Sequence, residues 1–541
     1  MNSALAINLS DNFNYLGWAC GVIVFVFLWF SFGNIELALI SFLPMAVSWI
    51  WILGIMGLTG IQFNIVNVIL ATFIFGQGDD YTVFMTEGCC YEYAYRRRML
   101  ASYKRSIIVS ALIMFIGIGT LIIAEHPALR SLAEITIVGM FAVVLMAYLL
   151  PPVVFKWMVF SCGQYRKRPL TIVPLLRTVF CGLVWLLQLF ITYILGVILF
   201  IFGKRTNKKC ILFRKFVSSF HPFDLKLMPG LRFSLHNPEK EDFAKPCVII
   251  CNHQSMLDPM FLMAMTHKIL IVANERSSMN PIVRIMFKWL GFYTIRNNNF
   301  TAWKDSSLER DLDVFKSYIK NGYSIAIFPE GVRNPNSSIV RYHKGPFYLA
   351  EELGVDIVPI IIHGVNFMMP KGSFACYKGS VHMHIGHRID SKNILWGKDY
   401  IQTTKLVHKY YIGEYAKLRK KYETTSFFYS LLLDRYRYKG VEVMVSVKSN
   451  LKKHGNYSIY IDRDFNEDIV HIRHSGWGEM ALLFALVHPD KKIIAYEDDF
   501  EKRELAKYAA KDLVNNLLFL KENEYVNMDI NKEIIYDCGK L

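Results

Sequence analysis

Along the first two hundred residues charged positions vanish for long stretches. Five windows contain no Asp, Glu, Lys or Arg: 12–35, 37–78, 106–124, 135–155 and 178–203. One bilayer crossing takes about 20 apolar residues, so the long second window holds two helices and each of the others at most one. Its break falls near Gly57-Leu58-Thr59-Gly60, where small and polar residues interrupt the bulky run. The pattern therefore predicts a multi-pass membrane domain of about five helices over 1–160. Beyond residue 204 the character changes. Strand-like runs (Cys247 to Ile250, Ser324 to Phe328, Ile357 to Ile362) alternate with helical periods such as Ser306 to Lys320 and Val407 to Tyr422. This alternation predicts an α/β domain over 225–425. A further small α/β segment is expected over 430–541.

Composition narrows the class. The chain has 541 residues, 53% of them hydrophobic, with 61 Lys+Arg against 45 Asp+Glu and a formal charge of +16. A chain this long with a mean hydropathy of +0.27 carries more apolar surface than one soluble core can hide. Disordered and disulfide-framework classes are excluded too: ten cysteines, none in a CxxC pair and several inside apolar runs, suit a reducing or membrane setting. No basic stretch precedes the first window, so a cleavable signal peptide is not expected.

Charge supplies orientation. Arg96, Arg97, Arg98, Lys104 and Arg105 lie between the third and fourth helices, and Lys156, Arg166, Lys167 and Arg168 follow the fifth. Both loops are expected on the cytoplasmic side, with the N-terminus outside. The window 178–203 has basic residues on both flanks, which a single crossing would put on opposite sides. A monotopic hairpin within a basic linker (161–224) is predicted instead, entering and leaving on the cytoplasmic side. Residues 161–230 carry eleven basic side chains and one acidic. The expected partner is thus a bilayer with anionic headgroups, not nucleic acid, for which no basic module with interleaved aromatics is evident.

Chemistry concentrates at Asn252-His253-Gln254-Ser255-Met256-Leu257-Asp258, directly after an apolar strand. Positions five apart on a regular helix diverge by about 140°, so His253 and Asp258 meet only if the chain turns as it leaves the strand. Once paired, the carboxylate fixes the imidazole tautomer and leaves the other ring nitrogen to take a proton from a hydroxyl. Downstream follow Gly291-Phe292-Tyr293-Thr294-Ile295-Arg296, Phe328-Pro329-Glu330-Gly331-Val332-Arg333 and Val358-Pro359-Ile360. Four such blocks in this order over about 225–395 resemble the glycerolipid acyltransferase family that includes 1-acylglycerol-3-phosphate acyltransferases.

The resemblance implies His253 as general base and Asp258 as its orienting partner. It implies Arg296 and Arg333 as ligands of an acceptor phosphate, a pocket shaped by Glu330 and Gly331, and Lys344 as a further candidate. A guanidinium suits the anion because it offers a planar fork of donors that stays charged. Val332 and Asn334 stand where the family usually has hydroxyl residues. The implied reaction moves a fatty acyl group from acyl-CoA or acyl carrier protein to a lysophosphatidic-acid-like acceptor, with no bound cofactor and no metal. His382, His384 and His387 have no acidic or cysteine partner at ligand spacing and are expected to belong to a plain strand.

Two weaker resemblances complete the reading. Residues 12–160, with Gly76-Gln77-Gly78-Asp79-Asp80-Tyr81 inside an apolar helix, resemble the C-terminal membrane half of RND-superfamily exporters. That implies Asp79, Asp80 and Tyr81 as a proton relay. The chain has no loop long enough for a porter domain, so exporter activity would require the other half of a split transporter, with the acyltransferase preparing the cargo. The stretch Ile469 to Ile472, Gly476-Trp477-Gly478, Glu479 to Val487, Lys491 to Ala495 and Glu497-Asp498-Asp499 resembles the start of a Rossmann-like methyltransferase sheet. Too little chain follows for the rest, so a truncated remnant is expected, with S-adenosylmethionine binding unlikely. The expected location is a bacterial-type inner membrane, with the acyltransferase facing the cytoplasm.

Overall fold

A computed structural model describes residues 2–60, 65–201, 206–274, 281–295, 307–334, 338–453, 457–527 and 534–537. The chain divides into two compact units, one formed by Met1–Thr171 with Thr424–Leu541, the other by Ile172–Glu423.

The first unit begins with five helices: α1 (Asn2–Phe32), α2 (Ile35–Thr59), α3 (Ile65–Tyr95), α4 (Leu100–Gly119) and α5 (Pro127–Val159). α2 stops at Thr59, inside the break expected in the long window. The helices bury small and apolar faces against each other. One cluster joins Ile52 and Met56 to Ile135, Ala142 and Val143, and another joins Tyr81 and Met85 to Ile107, Ala111, Met140 and Ala147. Polar groups inside find partners: the Ser41 hydroxyl donates to Thr86 Oγ1 at 2.8 Å and Ser48 to the Pro44 carbonyl at 2.6 Å. Among the described residues four helices are long and apolar enough to cross a membrane, Ile35–Thr59, Leu100–Ile123, Ala133–Val159 and Ile172–Ile201.

The fourth of these opens the second unit and corrects the hairpin expectation. α6 (Ile172–Ile201) is one uninterrupted helix of 30 residues, about 45 Å long, with no turn among the described residues 178–201. Between 178 and 201 the helix has two glycines, Gly182 and Gly196, and no proline, and these glycines do not suffice to reverse it. The chain turns back afterwards into α7 (Asn207–Leu227), capped by the Thr206 hydroxyl accepting from the Lys209 amide. One side of α6 packs along this unit. Thr178 Oγ1 accepts from the Cys376 amide at 2.8 Å, Gln188 donates to Asp224 of α7, and Phe200 stacks on Trp289. The other side exposes Leu176, Phe180, Leu183, Trp185, Leu187, Phe190, Ile194 and Ile198.

The α/β core follows: β1 (Leu231–His236), β2 (Cys247–Cys251), α8 (Asp258–Met265), β3 (Ile269–Asn274), α9 (Pro281–Leu290), β4 (Tyr293–Ile295), α10 (Ser307–Lys320), β5 (Ser324–Ile327), α11 (Gly345–Leu353), β6 (Asp356–His363), β7 (Gly379–Ile385) and α12 (Tyr400–Tyr422). The seven strands order as β1-β7-β6-β2-β5-β3-β4. All neighbours are parallel except β6 and β7. Every residue of β2, β5 and β6 is buried, as expected of strands covered on both faces, which is why they read as continuous apolar runs. One face packs Phe261 and Leu262 of α8; the other packs Phe315, Phe347, Tyr411 and Tyr415 from α10, α11 and α12.

Beyond residue 424 the chain returns to the first unit through α13 (Thr425–Tyr436), α14 (Val441–Lys453), β8 (Ile469–Arg473), α15 (Glu479–Val487), β9 (Lys492–Tyr496), α16 (Phe500–Ala510), β10 (Leu517–Leu520) and β11 (Ile534–Asp537). Its four strands form a parallel sheet, β10-β9-β8-β11. This segment is tied to the end of the helical bundle: Arg168 pairs with Asp434 at 2.6 Å, both largely buried, and Tyr438 donates to the Leu170 carbonyl at 3.0 Å. The sequence, read in linear order, placed this segment as a separate domain.

Candidate active site

The site forms where β2 ends. The backbone leaves the sheet at Cys251, turns through 252–257 and starts α8 at Asp258, so the first-turn carboxylate faces back toward the turn. His253 Nδ1 lies 2.8 Å from Asp258 Oδ2. The same oxygen accepts the backbone N–H groups of Gln254 at 2.7 Å and Ser255 at 2.8 Å. Asp258 is 1% exposed. A buried carboxylate that accepts two amides at the start of a helix is held in place. Its bond fixes Nδ1 as the protonated nitrogen, which leaves Nε2 as the acceptor. The imidazole rests on Phe328, with ring centroids 4.3 Å apart.

Glu330 follows β5 and is buried. Its Oε1 accepts the His253 amide at 3.0 Å and its Oε2 accepts the Val340 amide at 3.4 Å. Burial, with the neighbouring Asp258 charge behind it, pushes the Glu330 carboxyl up to about 7. Through these two bonds Glu330 ties the His253 backbone to the segment that follows β5. The Asn334 amide adds a second tie by donating to the His253 carbonyl at 2.8 Å, and its side chain donates to the Ser338 carbonyl. Val332, at the other departure from the family pattern, is 64% exposed. Gly331 has φ +69 in the turn between them. Arg333 is half-buried, and its carbonyl accepts from Lys371 Nζ at 3.0 Å. Lys344 is exposed at the start of α11. Arg296 lies outside the described residues.

Several residues to which the sequence reading gave no role complete the site. The Asn252 side chain imitates a strand: Nδ2 donates to the Ile362 carbonyl and Oδ1 accepts the Ile362 amide, both at 2.8 Å. The Tyr411 hydroxyl of α12 accepts the Asn252 amide at 2.9 Å and lies 2.6 Å from the Ile360 carbonyl. Gln254 donates to the Tyr415 hydroxyl at 2.7 Å. An Asn placed between a buried strand and the histidine was the available signal, and the one-turn spacing of Tyr411 and Tyr415 was the other. Arg214, counted above among the membrane-facing cations, is 2% exposed; its Nε donates to the Leu290 carbonyl at 2.9 Å. It thus supports the turn at Gly291 from beneath, together with Tyr318, whose hydroxyl donates to the Gly291 carbonyl. Arg168 is buried as well, so the headgroup-facing set is smaller than the sequence suggested.

The remaining candidates do not join this site. His382 stacks on Tyr422, centroids 3.6 Å apart, and bonds Ser234, while His384 stacks on His236 and His387 pairs with Glu239. On α3 Tyr81 is buried in the bundle, Asp79 is half-buried and Asp80 is exposed. In the C-terminal sheet the two glycines of the loop differ: nothing lies within 4 Å of a Cβ built on Gly476. A Cβ on Gly478, at φ +80, would meet Ala506 at 2.6 Å and the Phe519 ring at 3.0 Å, and Gly476 donates its amide to Glu497 at 2.7 Å.

The strand-to-helix elbow holding the His–carboxylate pair and the motif bonded behind it both lie within the stretch that matches a family of acyl-transfer enzymes. Residues 232–363 match the protein-family model described as Acyltransferase, so the second unit contains an acyltransferase domain. The chain is 34% identical over 161 residues to the human 1-acyl-sn-glycerol-3-phosphate acyltransferase beta, a match covering 29% of this chain and 54% of the relative. It is 27% identical over 172 residues to a chloroplastic 1-acyl-sn-glycerol-3-phosphate acyltransferase of Brassica napus, covering 30% and 48% respectively. It is also 27% identical over 162 residues to the 1-acyl-sn-glycerol-3-phosphate acyltransferase of Pseudomonas aeruginosa, covering 30% and 60%. The chain spans about half the length of the curated relatives it matches. The crystal structure of a Thermotoga maritima 1-acyl-sn-glycerophosphate acyltransferase aligns over 46% of this chain and 97% of its own, at 20% identity and a TM-score of 0.38.

Proposed function

We propose that this chain is a membrane-bound O-acyltransferase that acylates the free hydroxyl of a 1-acylglycerol-3-phosphate-like acceptor from acyl-CoA or acyl carrier protein. The observation that carries the reading is the 2.8 Å bond between His253 Nδ1 and a carboxylate that two backbone amides hold in place. His253 Nε2 removes the acceptor's hydroxyl proton as the oxygen attacks the thioester carbonyl. The C–O bond forms, the tetrahedral intermediate collapses with cleavage of the C–S bond, and the imidazolium returns its proton to the departing thiolate. Asp258 steadies the imidazolium without taking the proton. Arg333, Lys344 and Arg296 are the cations for the acceptor phosphate. No protein nucleophile is required, because the donor is already a thioester.

The exposed apolar side of α6 supports a lipid substrate. A helix packed lengthwise on its own α/β unit cannot also cross a bilayer by itself, so α6 lies in the membrane plane, apolar side inward, with Lys208 and Lys209 of α7 at the headgroups. The location that follows is the cytoplasmic face of a bacterial-type inner membrane. Acyl transfer by purified protein, compared with His253→Ala, tests the reading: loss of transfer in a folded variant is expected, and equal activity overturns it.

A further inference from the structure

A second cluster of cations lies in the first unit, at the end of the bundle where α3 and α5 finish. Arg168, Arg435, Arg437, Lys439 and Arg96 gather there with the carboxylates Asp434 and Glu36. Asp434 takes Arg168 at 2.6 Å, and Arg437 lies 3.6 Å from Asp434 and 3.8 Å from Glu36. Arg435, fully enclosed, is met differently: its guanidinium donates to the backbone carbonyls of Ala509, Tyr508, Lys511, Arg166 and Lys167, with the Asp512 charge nearby. Both carboxylates are thereby committed. Arg96 and Lys439 are left.

These two converge on one ring. The Arg96 guanidinium lies 3.1 Å from the Tyr165 ring centroid and 5.3 Å from that of Tyr93; Lys439 Nζ sits 4.5 Å from the same Tyr93 centroid. Arg96 Nη1 and Lys439 Nζ are both buried without a hydrogen-bond partner, and Lys439 is only 4% exposed. Ring faces attract cations but do not satisfy N–H donors, and a buried amine without an anionic partner gives up its proton rather than hold an uncompensated charge. The backbone is held in a rare conformation to bring them together: Arg96 has φ +55 and Tyr438 φ +65. Such outliers persist where surrounding structure imposes them, commonly at ligand sites.

We infer that Arg96 and Lys439 form a binding site for one phosphate-class oxyanion at the junction of the helical bundle and the C-terminal segment. The anion would receive donors from both side chains and balance the surplus charge, and it would fix α3, the turn after α5 and the end of α13 to one another. Without it, burial together with Arg435 and Arg96 holds the Lys439 amine well below its ordinary range, so binding takes up a proton. The group can come from inorganic phosphate or from the headgroup of an anionic lipid.

Purified full-length protein in detergent is titrated with inorganic phosphate in one arm and with micelles containing phosphatidylglycerol or phosphatidylcholine in the other. Native mass spectrometry, calorimetry in buffers of different ionisation enthalpy and thermal unfolding are the readouts. The acceptor site binds phosphate as well, so the quantity read is the difference between wild type and Lys439→Met, which keeps the shape and removes the donor. Wild type is expected to bind one more phosphate-bearing group than Lys439→Met, with proton uptake and a melting temperature raised by several degrees. Lys439→Arg is expected to keep the extra group, and acyl transfer at saturating acceptor to be equal in all three. Saturation by inorganic phosphate alone identifies a free anion; a response confined to phosphatidylglycerol identifies a headgroup. Equal stoichiometry in wild type and Lys439→Met in both arms overturns the inference.

Discussion

His253 is held by three separate devices: the Asp258 carboxylate on its ring, Glu330 on its amide and Asn334 on its carbonyl. Asp258→Asn keeps the shape but offers the ring an ambiguous partner, so kcat is expected to fall about 100- to 10,000-fold with little change in melting temperature. Glu330 makes a prediction in pH. Its folded pKa of about 7 lies above the ordinary 4.5. The stability tied to its protonated form is therefore complete below about 4.5 and is lost as pH rises toward 7. Melting temperatures from pH 5 to 8 should show this decline in wild type and a flatter profile in Glu330→Gln; identical slopes would contradict the assignment. Tyr411→Phe leaves the buried Asn252 amide without its acceptor and should cost about 1–3 kcal/mol in denaturant unfolding. The His–Asp pair was legible because its spacing requires a turn. The roles of Asn252 and Tyr411 were not, since their partners lie 110 and 159 residues away.

At the scale of elements, buried strands and long apolar helices were legible, because continuous apolar runs leave little choice of environment. The span 178–203 was misread for a physical reason. Basic residues at both ends predict a reversal within the run, whereas a straight helix lying along its own domain satisfies both flanks without one. Gly196 of α6 makes the packing testable. A Cβ there would run into the Trp289 ring, so Gly196→Val should loosen α6 from α9, costing about 1–3 kcal/mol. Gly182, with nothing near its Cβ position, should accept valine at little cost. Proteolytic nicking near residues 202–206 is expected to accelerate in Gly196→Val and not in Gly182→Val.

At the scale of the molecule, the acyltransferase unit is inserted into another: the chain leaves the first unit at Thr171 and resumes it at Thr424. This return is not legible in linear order, since the link is made by side chains such as Arg168 and Asp434, 266 residues apart. Removing one partner of a buried pair costs about 3–5 kcal/mol. Asp434→Ala should therefore lower the unfolding midpoint of the first unit while acyl transfer in the folded protein persists. The central claim is that His253 acts as the base of an acyl transfer to a lysophosphatidic-acid-like acceptor. Its most direct test is the rate of acylation of 1-acylglycerol 3-phosphate, with acyl-CoA and acyl carrier protein donors, by wild type and by His253→Ala matched for folding by melting temperature. The account predicts transfer in wild type and a loss of at least about 100-fold in the variant; transfer at equal rates, or none in wild type with either donor, would contradict it.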